Sequence, residues 1–203
     1  MPAVKLRIGL ADNGRGMTLD EFLEAEETGG HRFELGGGIL EVTQVPNTPH
    51  RRVVSNLYRA IARYDLAHPG LIESFGGGSE FRLLIPTMKS GRNPDLGVVF
   101  EGTLPDERGR TQPTLVGEVV SKRSRVRDYE VKRREYLAFG IHEYWVIDFE
   151  LGRVVVLVRD GEDWTERNFE GDQVIESRLL PGLGVKVSEL WTGVEVGADE
   201  GSY

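Results

Sequence analysis

Val53, Val54, Leu57, Ile61 and Leu66 fall at helical spacing, which gives the segment one apolar face. His50–Ala67 is therefore expected to be a long amphipathic helix, stopped by His68-Pro69-Gly70. A second long helix is expected over Arg125–Phe139, with Gly140 just past its end. Tyr129, Lys132, Tyr136 and Phe139 form its inward stripe, and Arg127, Glu130, Arg134 and Ala138 its outward side. A shorter helix over Met17–Glu27 opens on a capping box, Thr18 with Glu21.

Elsewhere the apolar runs are short. Arg32–Leu35 and Ile39–Thr43 flank Gly36-Gly37-Gly38, a hairpin signal. Leu71–Phe75 and Ser79–Ile85 flank Gly76-Gly77-Gly78 and are read in the same way. Asp95–Phe100 and Thr114–Val120 are rich in Val and Leu with little alternation, as in central strands covered on both faces. Between them, EGTLPDERGRTQP is a surface loop, and Pro86–Asn93 is another. Glu143–Phe149 and Arg153–Arg159 are further strands, and Trp164–Phe169 with Gln173–Glu176 suggest one more pair. The sum is a single α/β domain: a mixed central β-sheet flanked by two long helices, with additional β-hairpins. Residues 1–16 are an irregular N-terminal lead-in, 17–192 the domain, and 193–203 an acidic flexible tail.

Composition narrows the classes. The 203 residues are 39% apolar and 29% charged, ordinary for a soluble globular chain with a real core. The absence of cysteine excludes disulfides, thiolate metal ligands and a thiol nucleophile. No apolar run approaches the roughly 18 residues of a membrane helix, and the N-terminus lacks a signal-peptide pattern, so a cytoplasmic location is expected. A net charge of −8 argues against indiscriminate nucleic-acid binding. Against that, Ser121–Arg134 carries Lys122, Arg123, Arg125, Arg127, Lys132, Arg133 and Arg134 beside only Asp128 and Glu130. The patch reads either as a solvated helix face with internal ion pairs or as a surface for phosphates, and charge alone favours the former.

Three side chains ask for a chemical reason. Glu118 sits among Leu115, Val116, Val119 and Val120, where an unpaired carboxylate costs several kcal/mol or takes a proton. A bound cation, a solvent edge or an arginine partner would each resolve this. Lys132 is the one charged member of an aromatic stripe, and Asp128, one turn earlier, can pair with it. A snorkelling lysine is the plain alternative. Asp95 follows Pro94 at the start of a strand, although Asn-Pro-Asp is also ordinary turn chemistry. His31, His50, His68 and His142 have no zinc-ligand spacing, and neither a G-x-S-x-G elbow nor a P-loop is present.

Taken together, RFELGGGILEV (32–42), Pro49-His50, RNPDLGVV (92–99), LVGEVVS (115–121), the Asp128-x-x-x-Lys132-x-x-x-Tyr136 helix and GIHEYWVID (140–148) resemble the PD-(D/E)XK restriction-endonuclease-like superfamily. The nearer resemblance is to its Uma-type endonuclease family, over about Met17 to Trp191. In the general superfamily a lysine stands two residues after the glutamate, but here that position is Val120, and the resemblance to the Uma-type branch implies Lys132 of the helix as its substitute. SKRS at 121–124 stands where the Uma-type branch often has Ser-Pro.

The resemblance implies metal-dependent hydrolysis of DNA phosphodiester bonds. Asp95, Glu118 and the Val119 carbonyl would hold Mg²⁺ or Mn²⁺, and Lys132 would orient water or stabilise the charged phosphate. Glu34 and His50 are further candidates for the catalytic set, Ser121 borders the site, and Asp128 orients Lys132. A homodimer would act on two strands. The alternatives are a catalytically inactive nuclease-fold protein that binds nucleic acid or protein, and a structural dimer module. A permanent arginine bridge to either acid, or an amine pointing away from both, would leave only the architecture.

Overall fold

The computed structural model describes residues 5–107 and 109–194. The chain runs β1 (Arg7–Ile8), α1 (Leu19–Glu24), β2 (Glu26–Glu27), β3 (His31–Gly36), β4 (Ile39–Gln44) and α2 (Thr48–Ala67), then β5 (Ile72–Gly76), β6 (Leu83–Ile85), β7 (Ser90–Arg92), β8 (Leu96–Phe100) and β9 (Leu115–Val119). A helix then begins at residue 125, widens into a π-turn over Arg127–Val131 and continues as Lys132–Phe139; the whole is α3. β10 (Glu143–Asp148), β11 (Arg153–Asp160), β12 (Asp163–Glu170) and α4 (Val187–Leu190) complete the chain.

The strands form a mixed six-stranded sheet, ordered β12-β11-β10-β9-β8-β5, and a four-stranded sheet, ordered β4-β3-β7-β6. β9 and β10 pair in parallel, and α3 is the crossover between them. This is the restriction-endonuclease-like α/β architecture: a mixed sheet between two long helices, with hairpins added.

Side-chain alternation along the large sheet explains what faces the site. Leu115, Val119, Trp145, Ile147, Val154 and Val156 share one face and pack with Val53, Leu57 and Ile61 of α2. Val116, Val120, Tyr144, Val146, Val155 and Leu157 share the other and pack with Tyr136 of α3. Glu118 falls in the second set by parity, so it points beneath α3. β8 runs antiparallel to β9 with Leu96 opposite Gly117. One further step of that register sets Asp95 opposite Glu118.

The small sheet is also two-faced. Phe33, Leu35, Leu40 and Val42 pack with Ile8, Met17 and Phe22, while Arg32, Glu34, Glu41 and Thr43 face the site. Gly37 and Gly38 form the β3–β4 turn with φ of 59° and 82°, angles that favour glycine. The Thr18–Glu21 capping box forms, and Asn47 caps α2 by accepting from the His50 N–H at 3.0 Å.

Several expectations are corrected. Gly76-Gly77-Gly78 is not a hairpin turn: β5 pairs with β8, whereas β6 pairs with β7 in the other sheet. The expected loop at 86–93 contains β7. Gln173–Glu176 forms no strand; Val174 makes a single bridge to Lys186. Residues 5–16 are irregular apart from β1, which pairs with β2, and a 3-10 turn at Leu10–Asp12. Residues 195–203 of the expected tail lie outside the described residues. The π-turn alters the α3 stripe: Asp128, Lys132 and Tyr136 are buried together, Tyr129 is half-buried against Arg153, and Arg127, expected outward, turns in to Glu41.

Candidate active site

Asp95, Glu118, Val119, Lys132, Glu34, His50, Ser121 and Asp128 all line one cleft of about 330 Å³. The polar face of the small sheet, the β8 and β9 ends, the start of α2 and the inner side of α3 wall it. Residues distant in the sequence thus share one space.

Asp95 is firmly held. Its Oδ2 accepts from the Val119 N–H at 2.9 Å, which ties it to the strand that carries Glu118. Its Oδ1 accepts from Arg32 Nη1 at 2.8 Å, and His50 Nε2 lies 3.2 Å away, poorly aligned for a hydrogen bond. Its backbone carbonyl accepts from the Tyr58 hydroxyl at 2.8 Å. Burial alone would raise the Asp95 pKa, but His50, Arg32 and the Val119 N–H outweigh it and keep the carboxyl well below its usual range.

Lys132 is 2% exposed, and its amine reaches three acids: Glu118 Oε1 at 2.9 Å, Glu34 Oε1 at 3.2 Å and Asp128 Oδ1 at 3.8 Å. Burial would strip its proton, but these carboxylates more than offset that and hold the amine charged. Val120, two residues after Glu118, is a core residue of the α3 face. The amine beside Glu118 is thus carried by the helix and not by the strand.

One lysine does not satisfy three acids. Glu34 is lowered to about 2: burial pushes it up, but Lys132, Arg92, Arg127 and the Asn93 N–H outweigh that. Glu118 is pushed up to about 8, chiefly by burial and then by Asp95, Asp128 and Glu34, which Lys132 only partly counters. Burial raises Asp128 as well, and its Oδ1 has no hydrogen-bond partner. The Tyr136 hydroxyl donates to Glu118 Oε1 at 2.5 Å.

The surrounding network sharpens the imbalance. Glu34 and Glu41 stand directly opposite on β3 and β4, a like-charge pair that needs cations. Arg92, fully buried, lies 2.8 Å from Glu41 and 3.5 Å from Glu34, and grips Glu135 through two nitrogens at 2.6 and 3.0 Å. Arg127 reaches Glu41 at 3.3 Å. Six carboxylates (Glu34, Glu41, Asp95, Glu118, Asp128, Glu135) thus meet four permanent cations (Arg32, Arg92, Arg127, Lys132). Among the described residues no group of three or more His, Asp or Glu is arranged to hold a metal. Two carboxylates would leave most of an ion's coordination positions to water, which suits Mg²⁺. The residues therefore fit a hard, hydrated cation.

Sequence reasoning missed Arg32, Arg92, Glu41 and Glu135. The RFELGGGILEV stretch places Arg32 two residues from Glu34, hence on the same strand face, and that spacing was the available signal. The basic patch is largely spent within the molecule: Arg125 pairs with Asp148 and Glu150, Arg127 with Glu41 and Arg133 with Glu166. Lys122, Arg123 and Arg134 remain exposed, and Arg123 lines the cleft. No helix among the described residues is long and apolar enough to cross a membrane.

The chain is similar in fold to a protein described as a "putative nuclease belonging to DUF820" from Anabaena variabilis ATCC 29413, with a TM-score of 0.69 and 19% identity over 87% of this chain and 98% of that one. No curated protein matches. Residues 19–188 match the model of the family Uma2, described as "Putative restriction endonuclease". Since that match spans most of the chain, the protein belongs to the Uma2 family.

Proposed function

We propose that the cleft hydrolyses phosphodiester bonds in DNA, as an endonuclease dependent on Mg²⁺ or Mn²⁺. The observation that carries this reading is the convergence of Asp95, Glu118 and the Lys132 amine in one cleft. Asp95, Glu118 and the Val119 carbonyl would hold the cation. When bound, such an ion lowers the pKa of a water and neutralises charge growing on the phosphate. Lys132, kept charged by its three acids, donates to a phosphate oxygen or orients the attacking water. Glu34 and Asp128 aim the Lys132 amine. His50, Arg123 and Ser121, which line the cleft, would meet phosphate. A homodimer would present two such clefts to the two strands of a duplex.

A second reading, a catalytically inactive member that binds nucleic acid or protein, is favoured by one observation, the Arg32–Asp95 bridge. One experiment separates the two. Supercoiled plasmid, single-stranded DNA and branched DNA are incubated with the protein in Mg²⁺, Mn²⁺ or EDTA, beside Glu118→Ala and Lys132→Ala. Metal-dependent nicking lost in both variants supports the enzyme; DNA binding without cleavage, surviving both changes, supports the inactive module.

A further inference from the structure

We infer that Arg32 is a displaceable counter-ion: its guanidinium stands in for the cation on Asp95 until a substrate phosphate draws it off, so that cation and phosphate load together. This rests on the nuclease reading above.

Arg32 shares the cleft-facing side of β3 with Glu34. It makes one bond to Asp95 Oδ1, at 2.8 Å, and one to the Asn93 carbonyl, at 3.0 Å. Asp95 Oδ2 is already tied to the Val119 N–H, so an ion approaching Asp95 meets Arg32 at the other oxygen. Two cations on one carboxylate oxygen repel, and one must yield. Arg32 can yield where Arg92 cannot. Arg92 is wholly buried and forked onto Glu135 through two nitrogens, whereas the Arg32 side chain is 26% exposed and touches Asp95 through one.

A phosphate offers that guanidinium two oxygens in the fork geometry that arginine prefers. The cleft offers phosphate a further cation in Arg123, which is exposed at its edge. If phosphate weakens the Arg32–Asp95 bridge, phosphate and cation must strengthen each other's binding by the same factor. The device withholds the ion from an empty cleft and admits it with substrate.

The test is Mn²⁺ binding, read from the electron paramagnetic resonance of free Mn²⁺. Wild type, Arg32→Gln and Arg32→Lys are titrated with and without thymidine 5′-monophosphate, beside a protein-free control for chelation by the nucleotide. Arg32→Gln is expected to bind Mn²⁺ about tenfold more tightly than wild type, and Arg32→Lys to fall between them. The nucleotide is expected to tighten binding several-fold in wild type and not in Arg32→Gln. If Arg32→Gln does not fold, Arg32→Lys must still bind more tightly than wild type. Equal or weaker Mn²⁺ binding in the variants overturns the role of Arg32 and leaves the nuclease reading intact. No saturable Mn²⁺ binding by wild type or variants overturns both.

Discussion

Replacing Lys132 with methionine removes the cation that three buried acids share and keeps the length of the side chain. Glu34 shows what that cation contributes. Burial would raise its pKa, yet Lys132 first, then Arg92 and Arg127, bring it from an ordinary 4.5 to about 2. A displacement of that size corresponds to roughly 3 kcal/mol of stability at neutral pH. Breaking one side of a buried ion pair costs a similar amount, about 3–5 kcal/mol. Lys132→Met is therefore expected to lose about 3–5 kcal/mol at pH 8, a fall in melting temperature of roughly 6–20 °C for a chain of this size. The sign of the pH dependence follows from Glu34. A carboxylate held below its unfolded value adds stability above about pH 4.5 and loses it as pH falls towards 2. In the variant Glu34 keeps only Arg92, Arg127 and the Asn93 N–H, so that contribution is reduced and its carboxyl takes up a proton at higher pH than in wild type; the deficit therefore shrinks as pH falls. Urea unfolding followed by circular dichroism, in EDTA at pH 5 and pH 8, measures both values. A deficit below about 1 kcal/mol at pH 8, or one equal at both pH values, would refute the reasoning.

Two further outcomes follow from the same geometry. Glu118, raised to about 8 mainly by burial, holds a proton between pH 4.5 and 8 that the unfolded chain has released; wild-type stability therefore falls as pH rises through that window. Glu118→Gln should flatten the fall and melt above wild type at pH 9 in EDTA, and parallel melting curves from pH 6 to 9 would contradict this. A Cβ added at Gly77 would lie 2.5 Å from both the Asp95 carbonyl and the Tyr58 hydroxyl. Gly77→Ala should accordingly cost about 1–3 kcal/mol by thermal denaturation, and an unchanged melting temperature would argue against so close an approach.

The sequence made legible what local patterns carry. Helical spacing located both long helices, the glycine triplet at 36–38 located the β3–β4 turn, and the apolar runs around Asp95 and Glu118 located the central strands. It also brought forward the residues that line the cleft, since buried charge among valines is itself a signal. Long-range pairing was not legible. Nothing local distinguishes Gly76-Gly77-Gly78 from the first glycine triplet, yet its flanking strands enter different sheets, and Gly77 is required by the close approach of the Asp95 carbonyl and Tyr58. β7 reads Ser-Gly-Arg, with no apolar alternation, because its side chains meet Glu135 rather than a hydrophobic core. The π-turn leaves no mark in the spacing of α3, yet it rotates Asp128 and Arg127 into the cleft and Tyr129 away from it. The arginine partners were hidden for a similar reason: an exposed arginine and a buried one look alike until the acids that hold them are placed.

The central claim is that Asp95 and Glu118 share one divalent ion, and an Mn²⁺-soaked crystal measured at a wavelength where manganese scatters anomalously tests it most directly. The account predicts one anomalous peak about 2.0–2.2 Å from an oxygen of each carboxylate, with the Arg32 guanidinium moved off Asp95. An ordered cleft without that peak, or with Arg32 still bridged to Asp95 at full Mn²⁺, would contradict it.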